Sequence, residues 1–334
     1  MADSASWEHR QYAHCESGVV TSLLRRQGLD LSEPMVFGVS GGLTFAYIPL
    51  LKITNMPVVS YRMFPGAIIK GTARNLGVRF TTRRYANKEE ALAELTRLAD
   101  QGQAVGLQTS VYWLPYFPPE MRFQFNAHNL VVYGRQGQEF LVSDPVFDHA
   151  VRIRAEDLQN ARFAKGTLAP KGFLYYPVQT DPGVDLAQAI GKSINRTVRM
   201  MLHAPLPFIG VKGIRCLARR IERLDVGRDL RYARLFLGHI VRMQEEIGTG
   251  GGGFRFMYAA YLQEAGELLR LPALGEASRL MTQAGDQWRL FALACAKVCK
   301  GKTAGFDPGP IAELLRGCAE QEKAVYLLLK GLRL

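Results

Sequence analysis

Apolar residues at three- and four-residue intervals, Val19, Val20, Leu23 and Leu24, predict a first helix that Gly28 ends, with Cys15 one turn ahead on the same face. Next, "PMVFGVSGGLTFAYIP" is broken into turns by Gly38, Gly41 and Gly42, and "MPVVSYRMF" is a β-branched and aromatic run that reads as a strand. A helix over 66–76 stops at Gly77, and "VRFTT" follows as a strand. Asn87 caps a further helix, with Glu90 three residues on and Ala91, Leu92, Leu95, Leu98 and Ala99 as its inner stripe before Gly102. "QAVGLQT", "HNLVVYG", "QEFLVSD" and "GFLYYPV" complete a set of strands. Beyond "QTDPGVD" the periodicity is almost wholly helical, over 185–202, 211–224, 229–247, 254–271, 275–300 and 310–332. This change of texture predicts an α+β domain over 1–180 and an α-helical domain over 183–334, with the boundary at Asp181 and Pro182.

A chain of 334 residues can bury two cores of this kind. Its 48% hydrophobic and 22% charged content is that of an ordinary globular protein, and no apolar run approaches the roughly 18 residues needed to cross a bilayer. The start "MADSASWEHRQ" lacks a basic stretch followed by an apolar one, so no secretory signal is expected. Five irregularly spaced cysteines do not form a disulfide framework, and a cytoplasmic setting is expected. The net charge of +12 is concentrated: between Lys192 and Arg242 there are twelve Lys or Arg against three acids. Such a stretch is either a solvated helix surface or a surface that attracts an acidic partner. Nucleic acid fits the charge, but no nucleic-acid-binding motif accompanies it.

Cys15 stands where free N–H groups and the positive end of a helix dipole stabilise a thiolate, although a small core residue would fit there equally well. A reactive thiol needs a base and a group to orient that base. His128 opens "HNLVVYG", which is joined by "GRQGQ" to "EFLVSDP". If the two strands form a hairpin centred on Gln136, His128 faces Asp144, and Leu130 and Val132 face Val142 and Phe140 on the same apolar side. An ionisable pair at the end of an apolar face is costly unless the two groups are paired with each other. Cys295 and Cys299, one helical turn apart, and Cys216 and Cys318 have no ligand set around them. They read as core residues, and no metal site is expected.

"AHCESGVVTSLL", "SEPMVFGVSGGLTFAY", "SVYWLPYF" and "HNLVVYGRQGQEFLVSDP", in this order, resemble the N-terminal domain of the butirosin biosynthesis protein H family, over about residues 13–178. "GGGFRFMYAAYLQEAGELL" is similar to the helical region that commonly follows that domain. The resemblance implies a papain-like fold, with the nucleophile on an N-terminal helix packed on an antiparallel sheet. It also implies acyl transfer from an acyl carrier protein to a small-molecule amine or hydroxyl, in secondary-metabolite biosynthesis. Matching motifs make Cys15 the nucleophile, His128 the base and Asp144 its orienter. No bound cofactor is implied, because the acyl group arrives as a thioester on the carrier's phosphopantetheine. The basic helices would then draw in an acidic carrier protein.

The same resemblance calls for an oxyanion donor besides the Cys15 N–H. Papain-type enzymes often place a Gln about six residues ahead of the cysteine; His9 occupies that spot here, and Gln11 is nearer. Tyr112, Trp113, Tyr116 and Phe117 wall either an acyl channel or a rigid loop. Gly41 and Gly42, with Tyr47 following, let backbone approach a substrate or simply make a tight turn. The glycine run 248–253 reads as a hinge or lid, and phosphate binding is the alternative. Hydrolysis by the same three residues, as a peptidase, amidase or thioesterase, is the competing activity. A fold kept only for protein interaction is the non-enzymatic reading. The amphipathic C-terminal helices offer an interface for a homodimer.

Overall fold

The structure is a computed structural model describing residues 7–53, 55–179, 183–301 and 306–332. The chain runs through α1 (Cys15–Arg26), α2 (Glu33–Val39), β1 (Leu43–Ile53), β2 (Met56–Arg62), α3 (Ala67–Asn75), β3 (Arg79–Arg83) and α4 (Lys88–Asp100). It continues with β4 (Val105–Thr109), β5 (His128–Gln136), β6 (Glu139–Ser143), β7 (Val151–Arg154), α5 (Ala155–Arg162) and β8 (Leu174–Gln179). Then come α6 (Leu186–His203), α7 (Gly210–Glu222), α8 (Leu230–Val241), α9 (Arg255–Leu269), α10 (Pro272–Cys299) and α11 (Gly309–Lys330). Among the described residues no helix is long and apolar enough to cross a membrane.

These elements divide into two compact units: Met1–Val36 with Ile68–Val184, and Phe37–Ala67 with Asp185–Leu334. The segment 37–67, expected in the first domain, therefore belongs to the second unit. The expected boundary at Asp181 and Pro182 lies outside the described residues. α2 occupies a stretch expected to be broken into turns, and β7 with α5 forms where no element was expected.

In the first unit six strands form one antiparallel sheet in the order β3-β8-β4-β5-β6-β7. Alternation along β4, β5 and β6 puts Val105, Leu107, Leu130, Val132, Phe140 and Val142 on one face. There they pack with Ala91, Leu95 and Leu98 of α4 and with Leu158 and Ala161 of α5. The Asn87 side chain accepts the Glu90 N–H at 2.8 Å, the capping bond the sequence predicts. His128 shares the parity of Leu130 and Val132, so it stands at the end of this buried row.

The β5–β6 register corrects the predicted one. The turn is Gly137–Gln138, flanked by paired Gln136 and Glu139, with Gly137 at φ 60°. A bulge between Val132 and Gly134 adds one residue to β5, so Val132 pairs with Val142 rather than with Phe140. The net slip is two residues. Because side chains alternate with period two, that slip leaves His128 and Asp144 on one face, as diagonal neighbours instead of opposed ones.

The second unit combines the β1–β2 hairpin with α6–α11. At its centre Arg255 and Glu322 are both fully buried. Arg255 Nε donates to Glu322 Oε1 at 2.9 Å and its Nη1 donates to the Gly253 carbonyl at 2.6 Å. Glu322 also accepts from Trp288 Nε1 at 2.6 Å and from the Tyr326 hydroxyl at 3.0 Å. The glycine run belongs to this core and not to a hinge. A Cβ at Gly253 would lie 2.3 Å from the Tyr61 ring, and the Gly252 N–H donates to the Glu245 carboxylate. Cys295 and Cys318 are buried in the same unit.

Candidate active site

Cys15 is the first residue of α1, and the residues before it are held by one carboxylate. Glu33 accepts the Ala13 N–H at 2.8 Å, the His14 N–H at 2.9 Å and the Ser17 hydroxyl at 2.7 Å. Burial pushes the Glu33 carboxyl above its ordinary pKa, and these three donors oppose that push. His14 is the N-cap, its imidazole accepting the Ser17 N–H at 3.2 Å. The Cys15 N–H is a first-turn amide, one of those that a helix leaves without an intrahelical partner.

His128 Nε2 lies 2.7 Å from Asp144 Oδ2 and donates to it. Cys15 Sγ lies 3.9 Å from the carbonyl of Ala127, the residue before His128, and the thiol is one of the groups that act on the imidazole's titration. His128 and Asp144 are almost wholly withdrawn from solvent, and Cys15 is 9% exposed. Burial alone would lower the His128 pKa. The Asp144 charge and hydrogen bonds to Asp144 and Cys15 outweigh it and raise the value to about 10. The imidazole is therefore charged at neutral pH.

Asp144 is itself fixed from two sides. The Val146 N–H donates to Oδ1 at 3.1 Å, and the Tyr116 hydroxyl donates to Oδ2 at 2.8 Å. Phe117 sets its ring edge-on to the imidazole at 5.5 Å. Tyr116 and Phe117, expected to wall either an acyl channel or a rigid loop, grip the His–Asp pair. Tyr116→Phe is expected to concentrate the Asp144 charge on His128 and to raise the imidazole's titration by about half a unit, read by NMR. An unchanged titration would reduce Tyr116 to packing.

The proposed second oxyanion donors are engaged elsewhere. His9 bonds the Ser143 hydroxyl at 2.7 Å and the Phe147 carbonyl at 3.0 Å, and Gln11 Nε2 donates to the Val146 carbonyl at 2.9 Å. With the Tyr12 N–H on the Pro145 carbonyl at 2.9 Å, they strap the chain ahead of Cys15 to the turn carrying Asp144. Gly41, Gly42 and Tyr47 lie in the second unit and have neighbours there: the Arg196 side chain, the Phe37 ring and the Phe236 ring. Tyr112 and Trp113 remain outward, each nearly half exposed.

Further polar residues that the sequence did not single out back the site. Asn129 Nδ2 donates to the Ala127 carbonyl at 3.1 Å, and the Tyr175 hydroxyl donates to Asn129 Oδ1 at 3.0 Å. Glu16, beside Cys15, accepts the Ile68 N–H at 3.1 Å at the start of α3. Asn129 and Tyr175 carry a detectable signal, polar side chains on the second face of strands β5 and β8. Glu33 carries none, because its partners are about twenty positions away. Among the described residues no three His, Cys, Asp or Glu side chains are placed to hold a metal ion.

The family described as "Butirosin biosynthesis protein H, N-terminal" matches residues 14–145, and the domain of unknown function DUF4872 matches residues 156–329. No curated protein matches the chain. Among solved structures, a C39-like peptidase from Bacillus anthracis is similar at 13% identity and a TM-score of 0.36, over 53% of this chain and 96% of that one.

Proposed function

Because this chain belongs to the butirosin biosynthesis protein H family, we propose that it is a cysteine-dependent acyltransferase working through an acyl-Cys15 intermediate. The observation that carries this reading is the buried His128–Asp144 pair, with the sulfur of Cys15, first residue of a helix, 3.9 Å from the carbonyl of the residue before His128. That is the arrangement of a papain-like cysteine enzyme. The acyl group would come as a thioester on the phosphopantetheine of an acyl carrier protein. The acceptor would be an amine or hydroxyl of a small molecule.

The protonation of His128 sets the order of events. The Cys15 sulfur attacks the thioester carbonyl as a thiolate, and the Cys15 N–H donates to the developing oxyanion. The carbon–sulfur bond to the carrier breaks as His128 gives its proton to the departing thiolate. The imidazole, now neutral, takes a proton from the incoming amine while the new carbon–nitrogen bond forms and the bond to Cys15 breaks. Thioester exchange is nearly balanced in energy, so alignment is the enzyme's main task in the first half. Exposed Lys192, Arg199, Lys212, Arg219 and Arg223 on α6 and α7 support an acidic carrier as partner.

Mass spectrometry of the chain mixed with an acyl-carrier thioester and candidate amines tests the reading. An acyl adduct on Cys15 that converts to an amide conjugate is expected. Free acid with no conjugate would make the protein a hydrolase, and no adduct at all would remove catalysis.

A further inference from the structure

A cleft of about 360 Å³ opens in the first unit, with Lys88, Ser110, Tyr112, Trp113, Phe163 and Lys165 in its lining. That volume is within the range of small-molecule sites. It adjoins the strand end that carries His128. Ser110 follows Thr109, which pairs with His128 across β4 and β5, and Asn126 precedes His128 by two residues. The short stretch 110–117 serves both places: Tyr112 and Trp113 face the cleft, and Tyr116 and Phe117 face the His–Asp pair.

The lining has a definite chemistry. It contains two lysines, a serine hydroxyl and three side-chain amides, with three aromatic rings and no carboxylate. Glu89 and Glu90, in the same turn of α4 as Lys88, do not line it. Ser110 is 1% exposed, and its side chain makes no capping bond to the turn 111–113 that follows it. Its hydroxyl can therefore donate into the cleft. Both lysines have fixed backbones. The Lys88 carbonyl accepts from Gln159 Nε2 at 2.5 Å, and the Lys165 and Thr167 carbonyls accept from buried Asn126 Nδ2 at 3.1 and 2.9 Å. The Lys88 ammonium sits 5.9 Å from the centre of the Phe163 ring.

We infer that this cleft binds an anionic group, phosphate or carboxylate, borne on an apolar arm. Lys88, Lys165 and the Ser110 hydroxyl take the anion, and Tyr112, Trp113 and Phe163 take the arm. That the ligand is a substrate rests on the acyl-transfer reading; that the cleft binds anions does not.

Calorimetric titration of full-length Cys15→Ala protein, which cannot turn over, separates the two. The probes are phenyl phosphate, phenylacetate and neutral phenylacetamide. Saturable binding of at least one anion is expected, about tenfold or more tighter than phenylacetamide and weakened by salt. Lys88→Ala with Lys165→Ala should remove that preference, and Ser110→Ala should weaken the anion about fivefold with the thermal melt unchanged. A stronger response to phenyl phosphate points to a phosphorylated ligand, and a stronger one to phenylacetate points to a carboxylate. Equal binding of phenylacetamide, an unaltered double-lysine variant, or no saturation by about 10 mM would each overturn the inference. Acyl transfer could fail its own test while this binding persists, and the reverse.

Discussion

On the proposed acyl transfer, His128→Ala is expected to slow acylation of Cys15 by about 10³-fold or more, because the imidazole would provide the proton for the leaving thiol and then remove one from the acceptor. Cys15→Ala should abolish the covalent adduct altogether. Asp144→Asn reports on the link between the two. Without the carboxylate, burial prevails and His128 becomes neutral near physiological pH, so the first half-reaction loses its acid. The pair also couples folding to pH. The folded His128 holds its proton up to about pH 10, whereas an unfolded one releases it near pH 6.5. The stabilisation is therefore complete below about 6.5 and is lost as pH rises through 10. Urea denaturation between pH 7 and 10 should show wild-type stability declining, with that slope absent from Asp144→Asn. A flat wild-type profile would refute a charged His128. Single-turnover adduct formation followed by intact mass gives the rate.

The largest loss of stability is expected from Glu322→Gln. In the second unit this carboxylate receives Arg255, Trp288 and Tyr326 with no access to water. An amide leaves the Arg255 charge buried without a counter-ion and turns an N–H₂ toward groups that are themselves donors. Breaking a buried pair from one side costs about 3–5 kcal/mol. At about 2–4 °C per kcal/mol, the melting temperature of this unit should drop by roughly 10 °C. Replacing both partners with apolar side chains, Arg255→Met with Glu322→Leu, should recover part of the loss, since neither charge is then stranded. Thermal melts followed by circular dichroism decide the matter. A Gln variant within about 1 kcal/mol of wild type would show that the pair is not needed.

Apart from the short α2 and α5, the helices were legible in the sequence because their signals are local. Asn87 with Glu90 and the stripe Ala91–Leu95–Leu98 fix α4 without reference to anything else. His128 and Asp144 could be paired from spacing because strand parity survives an even slip, although the turn and bulge that set the register were misjudged. What stayed hidden depends on distant partners. Nothing near Tyr116 says that its hydroxyl ends on Asp144, twenty-eight positions away, or that Glu33 will take the amides ahead of Cys15. His9 and Gln11 looked like oxyanion donors because their offset from Cys15 was suggestive. Their bonds to 143–147 follow from the path of the backbone, which no offset encodes. The hairpin at 37–67 has ordinary strand composition, and only its packing assigns it to the helical unit.

The order of strands in the first sheet bears on how such chains can be recombined. β8, residues 174–179, separates β3 from β4, so the last strand supplied by the chain fills the interior of the sheet. The two matched regions meet between 145 and 156, upstream of that strand. A chimera spliced there would import a foreign β8 along with its new helices, and the recipient sheet would have to accept a stranger between its own β3 and β4. Exchanging the later half between relatives is thus a transplant into a core, and tolerance of it should track the fit of Leu174 and Tyr175 to their new neighbours.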